Sequence, residues 1–270
     1  MGKDVASARR LAFGVLVLAN VLWAGTYTAG KIALQALSPV ELNALRFSIA
    51  ALVLAPLVIR RRHQLRLDRH TLLVLAQLSL LGFVLNKAFE YFGLALSTAS
   101  DVALLISTES LFTALLSWTV LRERVTRAGI AALVVGLAGV YLVVERGLVP
   151  NLGGGGAGAA RVLGDVLVIV SLLLEAGYTI RGKSLLGRVP ALPLVSLTLM
   201  GGLLVWLPAG AVAVAHSGLP HLSGGEWLAV LYMALVATVA GYWLWFHALS
   251  MVDASAAAPT LFIQPLLGAA

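Results

Sequence analysis

Cysteine is absent from all 270 residues, which removes disulfides, thiolate nucleophiles and thiolate metal sites together. Charge is scarce as well: only 11% of residues are Asp, Glu, Lys or Arg, against about 25% in an average soluble domain. Apolar residues fill the space, at 60% of the chain. This balance excludes a disordered chain, a nucleic-acid-binding domain and an ordinary cytosolic enzyme. The net charge of +7 sits in short loops between apolar blocks, which is the membrane-protein pattern. Catalytic and metal signatures are missing too, with no HExxH, GxSxG or paired acidic motif. His216 and His221 lack metal-ligand spacing, and His247 stands alone. The sequence therefore points to no enzyme, no metal and no cofactor.

A helix needs about 20 mostly apolar residues to cross the hydrocarbon of a bilayer. Nine such blocks are present, near residues 11–34, 39–59, 71–96, 102–121, 128–144, 163–180, 192–216, 227–249 and 254–270. The stretch 1–10 reads as a short basic tail, and 11–34 as a first span rather than a signal peptide. Fourteen of the 19 lysines and arginines fall in that tail and in the second, fourth and sixth connections. Only Arg146 and Arg161 lie on the other side, while Lys31, Arg46 and Lys87 lie within spans. That asymmetry predicts a multi-pass protein of the inner (plasma) membrane with a cytoplasmic N-terminus.

The chain also reads as two copies. Ala24-Gly25 and Gly30-Lys31 are matched by Ala176-Gly177 and Gly182-Lys183, 152 residues later. Ala99-Ser100, Ala103, Leu111 and Ala114 are matched by Ala254-Ser255, Ala258, Leu266 and Ala269, 155 residues later. Two matches at nearly one offset argue for duplication. A glycine-rich stretch at 147–161 separates the copies. A copy of five spans is odd in number, so the second enters the membrane inverted. Lys31 near the outer end of its span and Lys183 near the inner end of its own fit that inversion.

Several motifs resemble the EamA branch of the drug/metabolite transporter superfamily. They are Trp23-Ala24-Gly25 with Lys31, Pro39 with Leu45-Arg46-Phe47, and the run from Leu111 to Leu116 followed by Arg122-Glu123-Arg124. Gly136 with Gly139-Val140, Gly164-Asp165, Trp245 with Ala248-Leu249, and Pro265-Leu266 complete the set. The resemblance covers residues 11–270. It implies an all-α polytopic membrane protein of two inverted five-helix repeats, 11–146 and 162–270, acting as an exporter of a small metabolite. It also implies a central cavity lined by spans one, three, four, six, eight and nine. Ser110 stands where the family has proline, and Glu175 where it has an aromatic, the counterpart of Trp23. Nine helices are visible against the ten that the resemblance implies, so the sequence predicts that the protein continues for one more helix.

Charge buried in the bilayer is the informative feature, because a central Lys or Asp costs ~2.5–3.5 kcal/mol on insertion scales. Lys87 and Glu90, at i and i+3, share a helix face and are expected to pair. Counting ~1.5 Å per residue from the outer ends places Glu90, Arg46, Glu109 and Lys87 in one layer of the outer half. The layer reads equally as a structural network joining spans two, three and four, or as part of a substrate site. Glu175 lies ~9 Å from the inner end of span six with no close cation in sequence. It reads as a proton carrier or cation site, against the simpler reading of a side chain snorkelling to water. Trp23, Tyr27, Tyr91, Tyr178, Tyr242, Trp243 and Trp245 stand at family-like positions for a cavity wall. Taken singly, each reads more simply as an interface anchor. The balance of Lys31, Arg46 and Lys87 against Glu90, Glu109 and Glu175 suits a zwitterion such as an amino acid. An organic cation is the runner-up, and a receptor or scaffold without transport is the rival from another class.

Two features are weighed and set aside. Residues 177–184 match the phosphate-loop pattern GxxxxGK[ST] but fall inside a span, where no strand precedes the loop. Gly129, Gly136 and Gly139 read as helix-packing positions, with a homodimer interface as the sharper alternative. The expected partners are a small-molecule substrate, the lipid bilayer and protons as coupling ion.

Overall fold

A computed structural model describes residues 2–61, 65, 67–145 and 159–268, and every regular element among them is helical. Helix is what a bilayer demands, since backbone groups in hydrocarbon find partners only within the helix. In chain order the α-helices are α1 Gly2–Ala24, α2 Thr26–Ala33, α3 Pro39–Arg61, α4 Arg69–Leu78, α5 Asn86–Leu96, α6 Ala99–Val120 and α7 Arg127–Glu145. They continue as α8 Ala159–Leu185, α9 Ala191–Ser217, α10 Gly224–Leu231, α11 Tyr242–Leu249, α12 Ala254–Ala257 and α13 Ile263–Gly268. Five stretches are long and apolar enough to cross a membrane: Ser7–Ala33, Pro39–Arg60, Arg69–Leu96, Ala191–Ser217 and Gly224–Leu249. Shorter apolar helices run over Leu104–Val120, Arg127–Ala138 and Ala254–Leu267. The expected basic tail is the opening of α1. Of the glycine-rich stretch, residues 147–158 lie outside the described residues, as do the side-chain surroundings of Gly139.

Three of these stretches are not plain α-helix. The first breaks at Gly25, where a Cβ would come within 2.8 Å of the Tyr232 hydroxyl. That hydroxyl donates to the Leu22 carbonyl at 2.6 Å, so Tyr232 wedges the break between α1 and α2. The third and eighth expected spans each contain a π-helical stretch, Ser79–Leu85 and Tyr232–Gly241. Such stretches free backbone carbonyls, and indoles take them here. Trp206 Nε1 donates to Phe83 O at 2.6 Å, and Trp23 Nε1 to Ala237 O at 2.8 Å. Polar caps start both long stretches: Asp68 accepts from the Thr71 amide, and Ser223 with Glu226 forms a capping box.

Helices from the two parts of the chain interlock. α3 lies on α9, and α5 and α6 both lie on α8. α1 packs on α11 and α13. The α5–α8 crossing is a glycine contact: a Cβ at Gly164 would sit 2.9 Å from Gly93 O, and one at Gly93 only 2.8 Å from Gly164 O. In α7, a Cβ on Gly136 would meet the Phe262 ring at 2.3 Å, so this glycine packs within its own chain. The phosphate-loop look-alike at 177–184 is continuous helix inside α8, with no loop to hold a phosphate.

Candidate functional site

The interlocking helices form a partly open cavity of about 40 Å³. It holds water-sized occupants and is far below the ~300–1,000 Å³ of a pocket shaped for a drug-sized ligand. Arg46, Lys87, Glu90, Glu109 and Glu175 all line it, and the walls include Trp23, Tyr27, Tyr91, Tyr242 and Trp245. Arg46 comes from α3, so the wall includes the second expected span beside those named from the resemblance.

Lys87 organises the charges. Its Nζ lies 2.5 Å from Glu90 Oε2, one turn along α5, as the i, i+3 spacing predicts. The same Nζ lies 3.2 Å from Glu175 Oε2 on α8. This corrects the sequence expectation for Glu175, whose cation comes from another helix rather than from its own neighbourhood. The Tyr242 hydroxyl donates to Glu175 Oε2 at 3.1 Å, and Lys87 Nζ stands 5.6 Å from the Tyr242 ring centre. Glu175 is therefore turned into the protein interior and held there, not snorkelling to water.

Arg46 stands apart from that cluster, so the expected four-charge network is not formed as drawn. Its Nη1 donates to the Tyr91 hydroxyl at 2.5 Å and its Nη2 to Thr238 Oγ1 at 3.1 Å. The rings of Phe47 and Tyr91 lie 4.8 and 5.0 Å from its guanidinium carbon. Arg46 is 2% exposed, and among the described residues its Nε has no partner. Glu109 is 6% exposed, and among the described residues no cation pairs with it.

Two expected residues fall elsewhere. Trp243 is 41% exposed and stacks on His247, because α11 turns it away from the cavity and toward the surface. Tyr178 is buried one layer behind the wall, bonded to Thr198 and packed on Phe83, Tyr242 and Phe246. Four polar lining residues were not singled out from sequence: Thr26, Asn86, Thr179 and Gln264. An amide in an apolar span, as at Asn86 beside Lys87, is the signal that marks such a position.

Each end of the bundle carries a cluster built on a lysine. Lys31 Nζ donates to Ser97 O at 2.7 Å, the Ser97 hydroxyl bonds Asp165, and Arg161 grips Asp101 through two bonds of 2.7 Å. Lys183 Nζ donates to Val252 O at 2.6 Å and pairs with Glu123 at 2.9 Å. Lys31 and Lys183 are 152 residues apart, and the two accepting carbonyls 155. Arg122, at φ 56, ends α6 in the left-handed region and turns Glu123 back toward Lys183. Partial burial would raise the Glu123 carboxyl, but the Ser255 amide and Lys183 hold it below the usual carboxylate range.

With this geometry in view, the comparisons with known proteins are consistent. The sequence profile of the EamA-like transporter family matches residues 10–145 and again residues 162–270. An uncharacterized transporter of Archaeoglobus fulgidus is 28% identical over 94% of this chain and 86% of its own. A probable amino-acid metabolite efflux pump of Salmonella typhimurium is 25% identical over 94% of this chain and 83% of its own. An S-adenosylmethionine/S-adenosylhomocysteine transporter of Chlamydia muridarum is 26% identical over 78% of this chain and 65% of its own. A solved crystal structure shares the fold with a TM-score of 0.71 at 21% identity, over 97% of this chain and 86% of that one.

Proposed function

The chain belongs to the EamA-like transporter family, and from that premise we propose that it is a secondary active transporter exporting a small, amino-acid-like metabolite. One observation carries the reading: a charged, aromatic-walled cavity formed between helices of the two parts of the chain. Charges in an apolar bundle are costly and are retained where they serve a pathway or site. The membrane is the plasma (inner) membrane, with the N-terminus cytoplasmic by the distribution of basic residues. The two parts, 11–146 and 162–270, act as inverted repeats that rock about the cavity in alternating access. The separate family matches and the paired bonds of Lys31 and Lys183 support that arrangement.

The amino-acid reading draws on the names of two relatives, an S-adenosylmethionine/S-adenosylhomocysteine transporter and a probable amino-acid metabolite efflux pump. A second reading, organic-cation export, is favoured by the excess of carboxylates over cations around the cavity, three against two. Counterflow into proteoliposomes preloaded with a broad metabolite panel tests transport itself. Accumulation of at least one labelled compound is expected, and a purified chain that moves nothing from the panel overturns the reading.

A further inference from the structure

We infer that the cavity reads a zwitterion by its two ends: the Arg46 guanidinium takes a carboxylate, and Glu109 with the Asn86 amide oxygen takes an ammonium. The inference rests on the transport reading above. It starts from how the charges are already paired. Lys87 gives its two ion pairs to Glu90 and Glu175, so each of those three groups already has a charged partner within the protein. The charges left are one of each sign, Arg46 and Glu109, both lining the cavity.

Unpaired polar atoms give a second, independent observation. Among the described residues, Arg46 Nε, Asn86 Oδ1 and Thr26 Oγ1 are buried without a hydrogen-bond partner, and all three residues line this cavity. A buried polar group without a partner is costly, so such groups mark where a ligand completes the bonding. Their chemistry is directional. Arg46 Nε is a donor suited to a carboxylate, Asn86 Oδ1 is an acceptor suited to an ammonium, and Thr26 serves either.

The geometry at Arg46 fits recognition rather than structural pairing. Tyr91 and Thr238 hold both terminal nitrogens, and two aromatic rings flank the plane. The fork is thus pre-oriented with its Nε left free. An organic cation would meet this guanidinium without compensation, and a simple anion would meet Glu109 in the same way. A zwitterion satisfies both.

The test uses the purified full chain in proteoliposomes, with a mixture of radiolabelled α-amino acids as the counterflow probe. For the amino acid that accumulates most, its amide lacks the carboxylate and its desamino acid lacks the ammonium. Each is expected to compete on the order of 10- to 100-fold more weakly than the amino acid itself. Arg46→Gln should abolish discrimination against the amide only, and Glu109→Gln discrimination against the desamino acid only. Arg46→Lys, which keeps the charge but not the fork, should preserve the discrimination while raising KM, and it stands in if Arg46→Gln does not fold. Equal competition by both analogues overturns the inference and leaves transport intact. Counterflow of a cation or an anion but of no amino acid does the same. Counterflow of nothing in the broad panel removes the transport reading, and this inference with it.

Discussion

Lys87 faces two carboxylates, Glu90 and Glu175, at 2.5 and 3.2 Å, so the three groups together carry one negative charge in excess when all are ionised. The proton-carrier reading of Glu175 can be tested at this cluster, where Glu175 accepts from both the Tyr242 hydroxyl and Lys87. Glu175→Gln keeps the Tyr242 hydrogen bond and leaves Glu90 to hold Lys87. The variant is expected to fold, to lose the dependence of export on a pH gradient and to retain downhill substrate exchange. Gradient-driven export at the wild-type level in the Gln variant would exclude Glu175 as the proton-linked group. Loss of exchange with normal expression would assign it to substrate binding instead. The Lys87–Glu90 pair was legible in the sequence because i, i+3 spacing fixes it within one helix. The Lys87–Glu175 pair was not, since 88 residues and a helix crossing separate the partners. Trp243 and Trp245 show another limit: they lie two residues apart in a run that is apolar throughout, yet one is exposed and the other buried. In a bilayer both faces of a helix are apolar, so hydropathy does not tell the lipid side from the core.

Of the nine apolar blocks read from the sequence, five coincide with helices long and apolar enough to span, and the polar caps at Asp68 and Ser223 start two of these. What block length does not carry is phase. The π-helical turns at Ser79–Leu85 and Tyr232–Gly241 change the residues per turn, so faces counted along an ideal α-helix drift beyond them. Asn86 and Tyr242, which both line the cavity, follow directly after these turns. Close approach between helices is a further property of elements, and the Gly93–Gly164 crossing of α5 and α8 is its clearest case. Gly164→Val would press a side chain against Gly93 O and the Ser97 amide, each 2.9 Å from the new Cβ. Overpacking of this kind costs about 1–3 kcal/mol, so thermal unfolding in detergent should fall by several degrees. Gly14→Ala, where no atom lies within 4 Å, is the matched control. Equal unfolding temperatures for the two variants would show that the crossing tolerates separation.

At the scale of the whole molecule, both ends of the bundle are tied while the cavity between them measures only about 40 Å³. On the proposed transport reading, alternating access requires each tie to open in turn. The two ties are thin: Lys31 holds one carbonyl, and Lys183 holds one carbonyl and the Glu123 carboxylate, with the exposed Asp253 carboxylate 3.8 Å away. Removing one lysine should bias the population toward the state open at that end. The absence of cysteine gives a clean reporter, because Thr26→Cys introduces a single thiol at the cavity wall. In a Lys183→Ala background, a membrane-impermeant maleimide should label that thiol faster from the side of the basic loops, in inside-out vesicles. With Lys31→Ala, labelling should quicken in intact cells instead. The Glu123 carboxyl is held below its usual range, so its contribution to the Lys183 tie is present near neutral pH. It is lost as pH falls through the depressed value of the folded state. Acidification of inside-out vesicles should therefore reproduce part of the Lys183→Ala effect. If both lysine variants label at the same rate from the same side, the ties are structural braces and the bundle opens elsewhere. If the sides are exchanged, the chain sits in the membrane in the opposite sense to that given by its basic loops.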